Sequence, residues 1–586
     1  MEFAELILTP KIDEVVLHTS LNNRPVDVAL CLTGHHLILS ARKEGVEELW
    51  ILHQNIDAVE RKPNGFLSGS LVIKCKDFRV IQLDINNFEE FTNVANSLER
   101  LSSLEDVTLL YPFFYRPMYT ILEDGWTAFR PESEFSRLLV PGSSEDWRIT
   151  YVNKDFSVCN TYASAVVVPK SVDDDTLIAA AKFRHGGRFP VLSYKHESGS
   201  ALLRASQPLA GPGMKRCRED ERLLNAVLSQ GKRGYIVDTR SQSLAQTAKA
   251  RGGGVEPEAH YPQWRRVHKP IDRHAGLLDS LAKLVDGKSL LWLSKLDSSN
   301  WLGHVKDSLN CACLVAQCLD QEGASVLVHG SEGLDSTLLV CSLAQIILNP
   351  DCRTVRGLEA LVEREWLQAG HPFFLRHRRG CYGGGSSGGQ GSGGGKGGGG
   401  GGKGQQAPTF LLFLDCVAQV HAQFPCSFEF STQLLVLLFE HAYTSQFGTF
   451  LGNCELERER MQLSTRTVSL WSHLNRPEVL PSLLNPLYEP NSRVIWPSVA
   501  PMSLVLWSDL FLRYSPAWSG GLATRQKAVT TAIRGLSAHD QEVRSKAARL
   551  RRQLVELEKE ALDAGLLLPP ATGLDITVVT PTAVSP

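Results

Sequence analysis

The sequence predicts an α/β domain built on a mostly parallel sheet, preceded by an all-β module and followed by a long heptad-patterned helix. Three observations carry this expectation. Short apolar runs, Tyr235 to Val237 and Val326 to Val328, alternate with long helical patterns, as in βα units. Residues 1–105 instead space strand-length apolar runs between polar or Gly/Pro/Asn turns. Beyond Gly521, apolar residues recur every three and four positions.

Composition narrows the function classes. A chain of 586 residues has room for several domains, and 43% hydrophobic with 21% charged residues is globular rather than disordered. A net charge of −2 gives no reason to expect a nucleic-acid partner. The opening Met-Glu-Phe-Ala-Glu lacks the basic start of a signal peptide, and runs such as Phe410 to Leu414 are too short to span a bilayer. The thirteen cysteines form no paired framework, which fits free thiols in a reducing cytosol. Cys311, Cys313 and Cys318 match no zinc spacing and read as small buried hydrophobes, so neither metal nor cofactor is expected.

In the first module, Leu30 to Leu32, Leu37 to Leu39, Leu49 to Leu52, Ile56 to Val59, Leu71 to Cys75 and Val80 to Leu83 read as strands. Phe88, Phe91, Val94, Ala95, Leu98 and Leu101 share one helical face that would plug a barrel end. Lys74, Lys76 and Arg79 read as a solvated face. An inositol-phosphate contact there and a protein-interaction role for the module stand as alternatives.

The chemistry, if any, sits in the stretch from Ala324 to Leu348. A strand ends at a small-residue turn, Gly330 to Gly333, and a helix follows with Leu338, Leu339, Leu343, Ile346 and Ile347 at three- and four-residue spacing. Such a junction offers backbone N–H groups and a helix dipole to an anion. It is not a nucleotide-binding P-loop, because the required lysine is absent and Asp335 stands near its place. His329-Gly330-Ser331-Glu332-Gly333 comes within one residue of the Gly-x-Ser-x-Gly elbow of serine hydrolases, but His329 occupies the first glycine. Cys341 lies about 16 Å along the helix and cannot serve the loop.

From Tyr111 to about Tyr514 the chain carries Phe183-Arg184-His185-Gly186-Gly187-Arg188-Phe189-Pro190, Ser206-Gln207-Pro208-Leu209, Tyr235-Ile236-Val237-Asp238-Thr239-Arg240, Trp301-Leu302-Gly303-His304-Val305-Lys306 and Gly370-His371-Pro372-Phe373. Phe413-Leu414-Asp415-Cys416-Val417 and Gly448-Thr449-Phe450-Leu451 follow. In this order around the loop, they resemble the myotubularin phosphoinositide phosphatases, a branch of the cysteine-dependent phosphatases. The family loop reads His-Cys-Ser-Asp-Gly-Trp-Asp-Arg-Thr; here the register is His329, Gly330, Ser331, Glu332, Gly333, Leu334, Asp335, Ser336, Thr337. The resemblance therefore places the nucleophilic cysteine on Gly330 and the phosphate-binding arginine on Ser336. Glycine cannot form a phosphoenzyme, and serine lacks the planar charged fork of arginine. Losing a nucleophile costs about a million-fold in a hydrolase. Asp335 matches a proposed proton donor, which has nothing to act on without a phosphoenzyme. The loop is expected to be catalytically dead.

The same resemblance implies that residues 1–105 are a pleckstrin-homology-like (GRAM) β-barrel and that 111–515 are an inactive phosphatase-like domain. Arg184, Arg188 and Arg240 are expected to be structural partners of Asp and Glu rather than ligands. From Gly383 to Gly404 the chain is nearly all glycine and is expected to be a disordered insert, with a disordered tail over 566–586. Residues 525–565 are expected to be a coiled coil, with Val543, Ala547, Leu550, Leu554 and Leu557 in the partner-binding seam and Asp540 interrupting it. An inactive member would act as an adaptor. It would bind active myotubularin-related phosphatases, members six, seven and eight of the family, and raise their activity and membrane targeting toward phosphatidylinositol 3-phosphate and 3,5-bisphosphate. A cytoplasmic location peripheral to endomembranes follows from that role. Homodimerisation, weak phosphoinositide membrane contact, a stand-alone lipid-binding scaffold and a serine hydrolase using Ser331 are the alternatives.

Overall fold

The computed structural model describes residues 3–19, 24–41, 48–138, 146–229, 231–272, 274–285, 292–383 and 406–514, with Leu550, Gln553, Glu556, Leu557 and Glu560 beyond them. The glycine tract from 384 and the tail from 566 lie outside the described residues, as do Val543, Ala547 and Leu554.

Seven antiparallel strands open the chain: β1 (Lys11–Thr19), β2 (Val26–Leu32), β3 (His36–Ala41), β4 (Leu49–Leu52), β5 (Ile56–Asn64), β6 (Ser68–Cys75) and β7 (Val80–Ile85). Their order is β4-β3-β2-β1-β7-β6-β5. β1, whose alternation is broken by a register shift between Ile12 and Val15, gave no sequence signal yet joins the two halves through β2 and β7. The expected barrel is a curled sheet: β4 and β5 are its two edges, joined by a short turn over His53–Asn55 instead of pairing. Helix α1 (Phe88–Ser102) closes one end, starting where the Asn87 side chain accepts the N–H groups of Glu89 and Glu90. It buries Phe91, Val94, Ala95, Leu98 and Leu101 as its spacing requires, while Phe88 stays exposed.

A small hairpin, β8 (Trp147–Thr150) with β9 (Val166–Pro169), leads into a five-stranded sheet. Its strands are β10 (Val191–Lys195), β11 (Ala201–Ala205), β12 (Gly234–Asp238), β13 (Trp264–His268) and β14 (Val326–His329), in the order β10-β11-β14-β12-β13. β14 runs parallel to both neighbours, β12 runs parallel to β13, and only β10 is antiparallel. Every residue of β14 is buried, hence its uninterrupted apolar run. Helices α2 (Trp301–Asp320), α3 (Ser336–Leu348), α4 (Phe373–His377), α5 (Thr409–Gln423) and α6 (Thr432–Tyr443) complete the part that positions the site. α3 is buried on all sides, packed on α2 and α5, so it has no polar face.

The three cations of the first module are not a solvated face. Lys74 pairs with Glu60 and stands over the Tyr382 ring; Lys76 is 4% exposed; Arg79 donates to the Tyr514 hydroxyl at 2.8 Å. They serve the junction with the α/β domain. There Phe78 stacks on Phe439 and Phe511, and the Asp57 carboxylate accepts the backbone N–H groups of Gly380, Tyr382 and Gly383.

Candidate functional site

The loop from His329 to Thr337 leaves the C-terminal end of the central strand β14 and enters α3, the edge at which open α/β sheets place ligands. Gly333 is required there: its φ is +70°, and a Cβ added to it would lie 2.4 Å from the Ala205 carbonyl oxygen. Arg188 holds the turn by donating to the Gly333 and Ala369 carbonyls, both at 2.9 Å.

The space beside Gly330 is filled. A Cβ added to Gly330 would stand 2.9 Å from Thr239 Oγ1, 3.4 Å from Ser336 Oγ and 3.6 Å from Thr337 Oγ1. Thr239 Oγ1 and Ser336 Oγ are hydrogen-bonded to each other at 2.8 Å, and Thr239 N–H donates to the His329 carbonyl at the end of β12. A small neutral hydroxyl pair closes the floor of the loop.

Asp335 is equally committed. Arg376 on α4 donates Nε to its Oδ1 at 3.0 Å and Nη2 to its Oδ2 at 2.7 Å, and His274 Nε2 is 3.1 Å from Oδ2. Burial works to raise its pKa, but the hydrogen bond from His274 and the charge and bonds of Arg376 hold it well below the ordinary carboxylate value. Such a group is an ionised anchor and a poor proton donor. Glu332 lies 3.9 Å from the same guanidinium. The remaining loop residues, Ser331 and Leu334, are half-buried.

Both ring nitrogens of His329 are engaged by groups other than the Ser331 hydroxyl. Its Nε2 is 3.1 Å from Glu256 Oε2, and its Nδ1 is 3.2 Å from the Gly330 carbonyl. Glu256 continues to Arg184 Nη1 at 2.6 Å, Arg184 forks onto Asp220 at 2.8 and 2.6 Å, and Tyr261 donates to Asp220. Burial would raise the Glu256 pKa, yet His329 and Arg184 hold it low. Arg240 forks onto Asp238 and donates to Gln207. Arg184 and Arg240 therefore serve carboxylates, whereas Arg188 serves backbone carbonyls and Thr161, a partner set unlike the Asp and Glu expected for it. Cys341 is fully buried in α3, where burial pushes its thiol well above the usual range.

Glu256, His274 and Arg376 shape this site without a sequence signal of their own, and Thr239 carries a signal only within a motif that assigns it no role there; each arrives from a separate segment. Of the seam residues on the final helix, Leu550 and Leu557 are helical and each 63% exposed in the single chain. Among the described residues no cluster of His, Cys, Asp and Glu could hold a metal ion.

A myotubularin-like phosphatase domain matches residues 110–459, and the GRAM domain of the MTMR6-9 group matches residues 11–102. The chain belongs to the myotubularin family. Among myotubularins, it is 54% identical to human myotubularin-related protein 9 over 571 residues, covering 96% of this chain and 99% of that protein. The myotubularin-related protein 9 of Caenorhabditis elegans is 42% identical with the same coverage. Human MTMR8, named a phosphatidylinositol-3,5-bisphosphate 3-phosphatase, is 35% identical over 94% of this chain and 76% of its own length. The loop between β14 and α3 lies inside the matched phosphatase-like domain, and Thr239 and Ser336 are hydrogen-bonded beside its Gly330.

Proposed function

We propose that this chain is a pseudophosphatase. It binds active myotubularin-related phosphatases and raises their activity and membrane targeting toward phosphatidylinositol 3-phosphate and 3,5-bisphosphate. The observation that carries the reading is the filled floor at Gly330, where Thr239 and Ser336 close on each other in place of a nucleophile and a phosphate-binding arginine. The ion pair of Asp335 with Arg376 supports it, because it removes the remaining acid. The serine-hydrolase reading loses support from the commitment of His329 to Glu256.

The adaptor part rests on the heptad seam, whose described members Leu550 and Leu557 offer apolar surface to a partner. Relatives named as 3-phosphatases, MTMR6 and MTMR8, supply the class of that partner, with the seventh member of the same group as a further candidate. The stand-alone lipid scaffold loses support, since Lys74, Lys76 and Arg79 are occupied at the domain junction. A cytoplasmic, peripheral location on endomembranes belongs to the same proposal; no helix among the described residues is long and apolar enough to cross a membrane.

The test is affinity capture of the full chain from cells co-expressing MTMR8, followed by release of phosphate from phosphatidylinositol 3,5-bisphosphate. The expected result is a complex more active than MTMR8 alone and no turnover by this chain alone. Turnover by partner-free chain, or a captured complex no more active than MTMR8, would overturn it.

A further inference from the structure

The hairpin of β5 and β6 turns through Gly65, Phe66 and Leu67, between the paired residues Asn64 and Ser68. Turns select Gly, Asn, Asp, Ser and Pro for their backbone needs. Gly65 meets that need with a φ of +73°. Phe66 and Leu67 do not serve it, yet they stand 95% and 81% exposed at the tip. Two large apolar side chains held out into water together mark a contact surface.

A third lies at the same end of the sheet. Gly69, near the start of β6, pairs with Ile85, the last residue of β7, and α1 begins three residues later with Phe88, which is 41% exposed. A Cβ added to Gly69 would stand 2.6 Å from the Phe91 ring, and Phe91 lies 5.7 Å from Phe88. The apolar area stops there, because Lys62, Asn64 and Glu89 around it are polar or charged and exposed.

Its size and charge select the occupant. Fully covered, three such side chains offer roughly 500 Å2, short of the about 800 Å2 that each partner of a standard protein interface buries. A bilayer sets no such minimum and takes a small convex tip into its interfacial region. Lys62 on one side and Glu89 and Glu90 on the other give the tip no net sign, so no anionic headgroup is called for.

We propose that this end of the first module is a membrane contact, in which Phe66 and Leu67, with Phe88 near them, enter the interfacial region of a bilayer without recognising a particular headgroup. One small wedge binds only marginally and reversibly, so lasting residence needs the contacts of a bound partner as well. The contact deepens the membrane-targeting part of the proposed function and rests on it. Partner-free full chain is used to test it, so its failure is read separately from a failure to activate MTMR8.

The chain would be floated with phosphatidylcholine vesicles, with and without phosphatidylinositol 3-phosphate, in low and in high salt. The expected result is reversible binding to phosphatidylcholine alone, changed less than about twofold by salt or by the phosphoinositide. Phe66→Ser with Leu67→Ser should weaken binding at least about tenfold, the effect of exposing even one such side chain, and leave the melt unchanged. Met502→Ser removes a 90% exposed apolar side chain from the α/β domain and should leave binding unchanged. In the natural chain, the backbone amides of 64–68 should exchange more slowly when vesicles are added. No binding to phosphatidylcholine, binding that requires the phosphoinositide, an equal loss in Met502→Ser, or a double variant that binds like the natural chain would each overturn the proposal. If the double variant does not fold, exchange in the natural chain decides: amides of 64–68 that do not slow would overturn it.

Discussion

Asp335 and Arg376 meet as a two-pronged ion pair, Nε to Oδ1 at 3.0 Å and Nη2 to Oδ2 at 2.7 Å, both side chains almost wholly buried. Removing one partner leaves the other charge buried alone, which costs about 3–5 kcal/mol. Arg376→Met should lower the urea unfolding free energy by roughly that amount near pH 7. The folded-state pKa of Asp335 lies below its ordinary value of 3.8, so its contribution is present above about pH 4 and lost as pH falls through the folded value. The stability gap between wild type and Asp335→Asn should therefore be constant from pH 5 to 8 and shrink below pH 4. A gap that widens on acidification would contradict the assignment. His274 and His371 also face this carboxylate, so the variants should be compared with His274→Gln over the same range.

Restoring the two missing side chains should not restore turnover. In Gly330→Cys with Ser336→Arg, the new Cβ would be 2.9 Å from Thr239 Oγ1, Glu332 and Leu334 still differ from the family loop, and catalytic groups need sub-ångström placement. Phosphate release from phosphatidylinositol 3-phosphate by the purified double variant is expected at background. A rate within a hundredfold of MTMR8 would show that the loop is only two residues from an active site.

Asp57 joins the curled sheet to the α/β domain by accepting three backbone N–H groups, from Gly380 at 2.6 Å, Tyr382 at 2.7 Å and Gly383 at 2.9 Å. Asp57→Ala strands those donors, and one stranded buried donor already costs about 1–3 kcal/mol. Chemical denaturation should show a loss of at least about 2 kcal/mol, with faster proteolysis between the two domains. An unchanged unfolding midpoint would mean that the junction is held elsewhere.

Deleting residues 384–404 should leave the melting temperature and partner capture nearly unchanged, because the tract has no apolar side chain to pack. The cut must spare Gly383, whose N–H is engaged by Asp57. A drop of several degrees after this deletion would show that the tract is bound to something.

Changing Leu550, Leu554 and Leu557 together to Ala should abolish capture of an active myotubularin. Each truncated knob in a well-packed seam costs about 2–5 kcal/mol, and the middle of the range summed over three exceeds the roughly 8 kcal/mol of a micromolar complex. The main unfolding transition should not move, since the three positions lie outside the residues matched by the GRAM and phosphatase-like domains. Capture that survives the triple change would move the interface to another surface.

The sequence by itself determined the elements that local periodicity encodes: the strand runs of the first module, α1 with its buried face, and β14 turning into α3. It also determined that Gly330 and Ser336 bring neither a thiol nor a guanidinium to the loop, since side-chain identity needs no geometry. Tertiary structure alone decided what occupies that space. Thr239 reaches Ser336 from 97 positions away and Arg376 reaches Asp335 from 41, and no local pattern records such meetings. Likewise Lys74, Lys76 and Arg79 read as a solvated face because basic residues scattered on a hairpin usually face water. Their true surroundings, Tyr382 and Tyr514, come from the other domain, and burial is a property of the packed chain rather than of the strand.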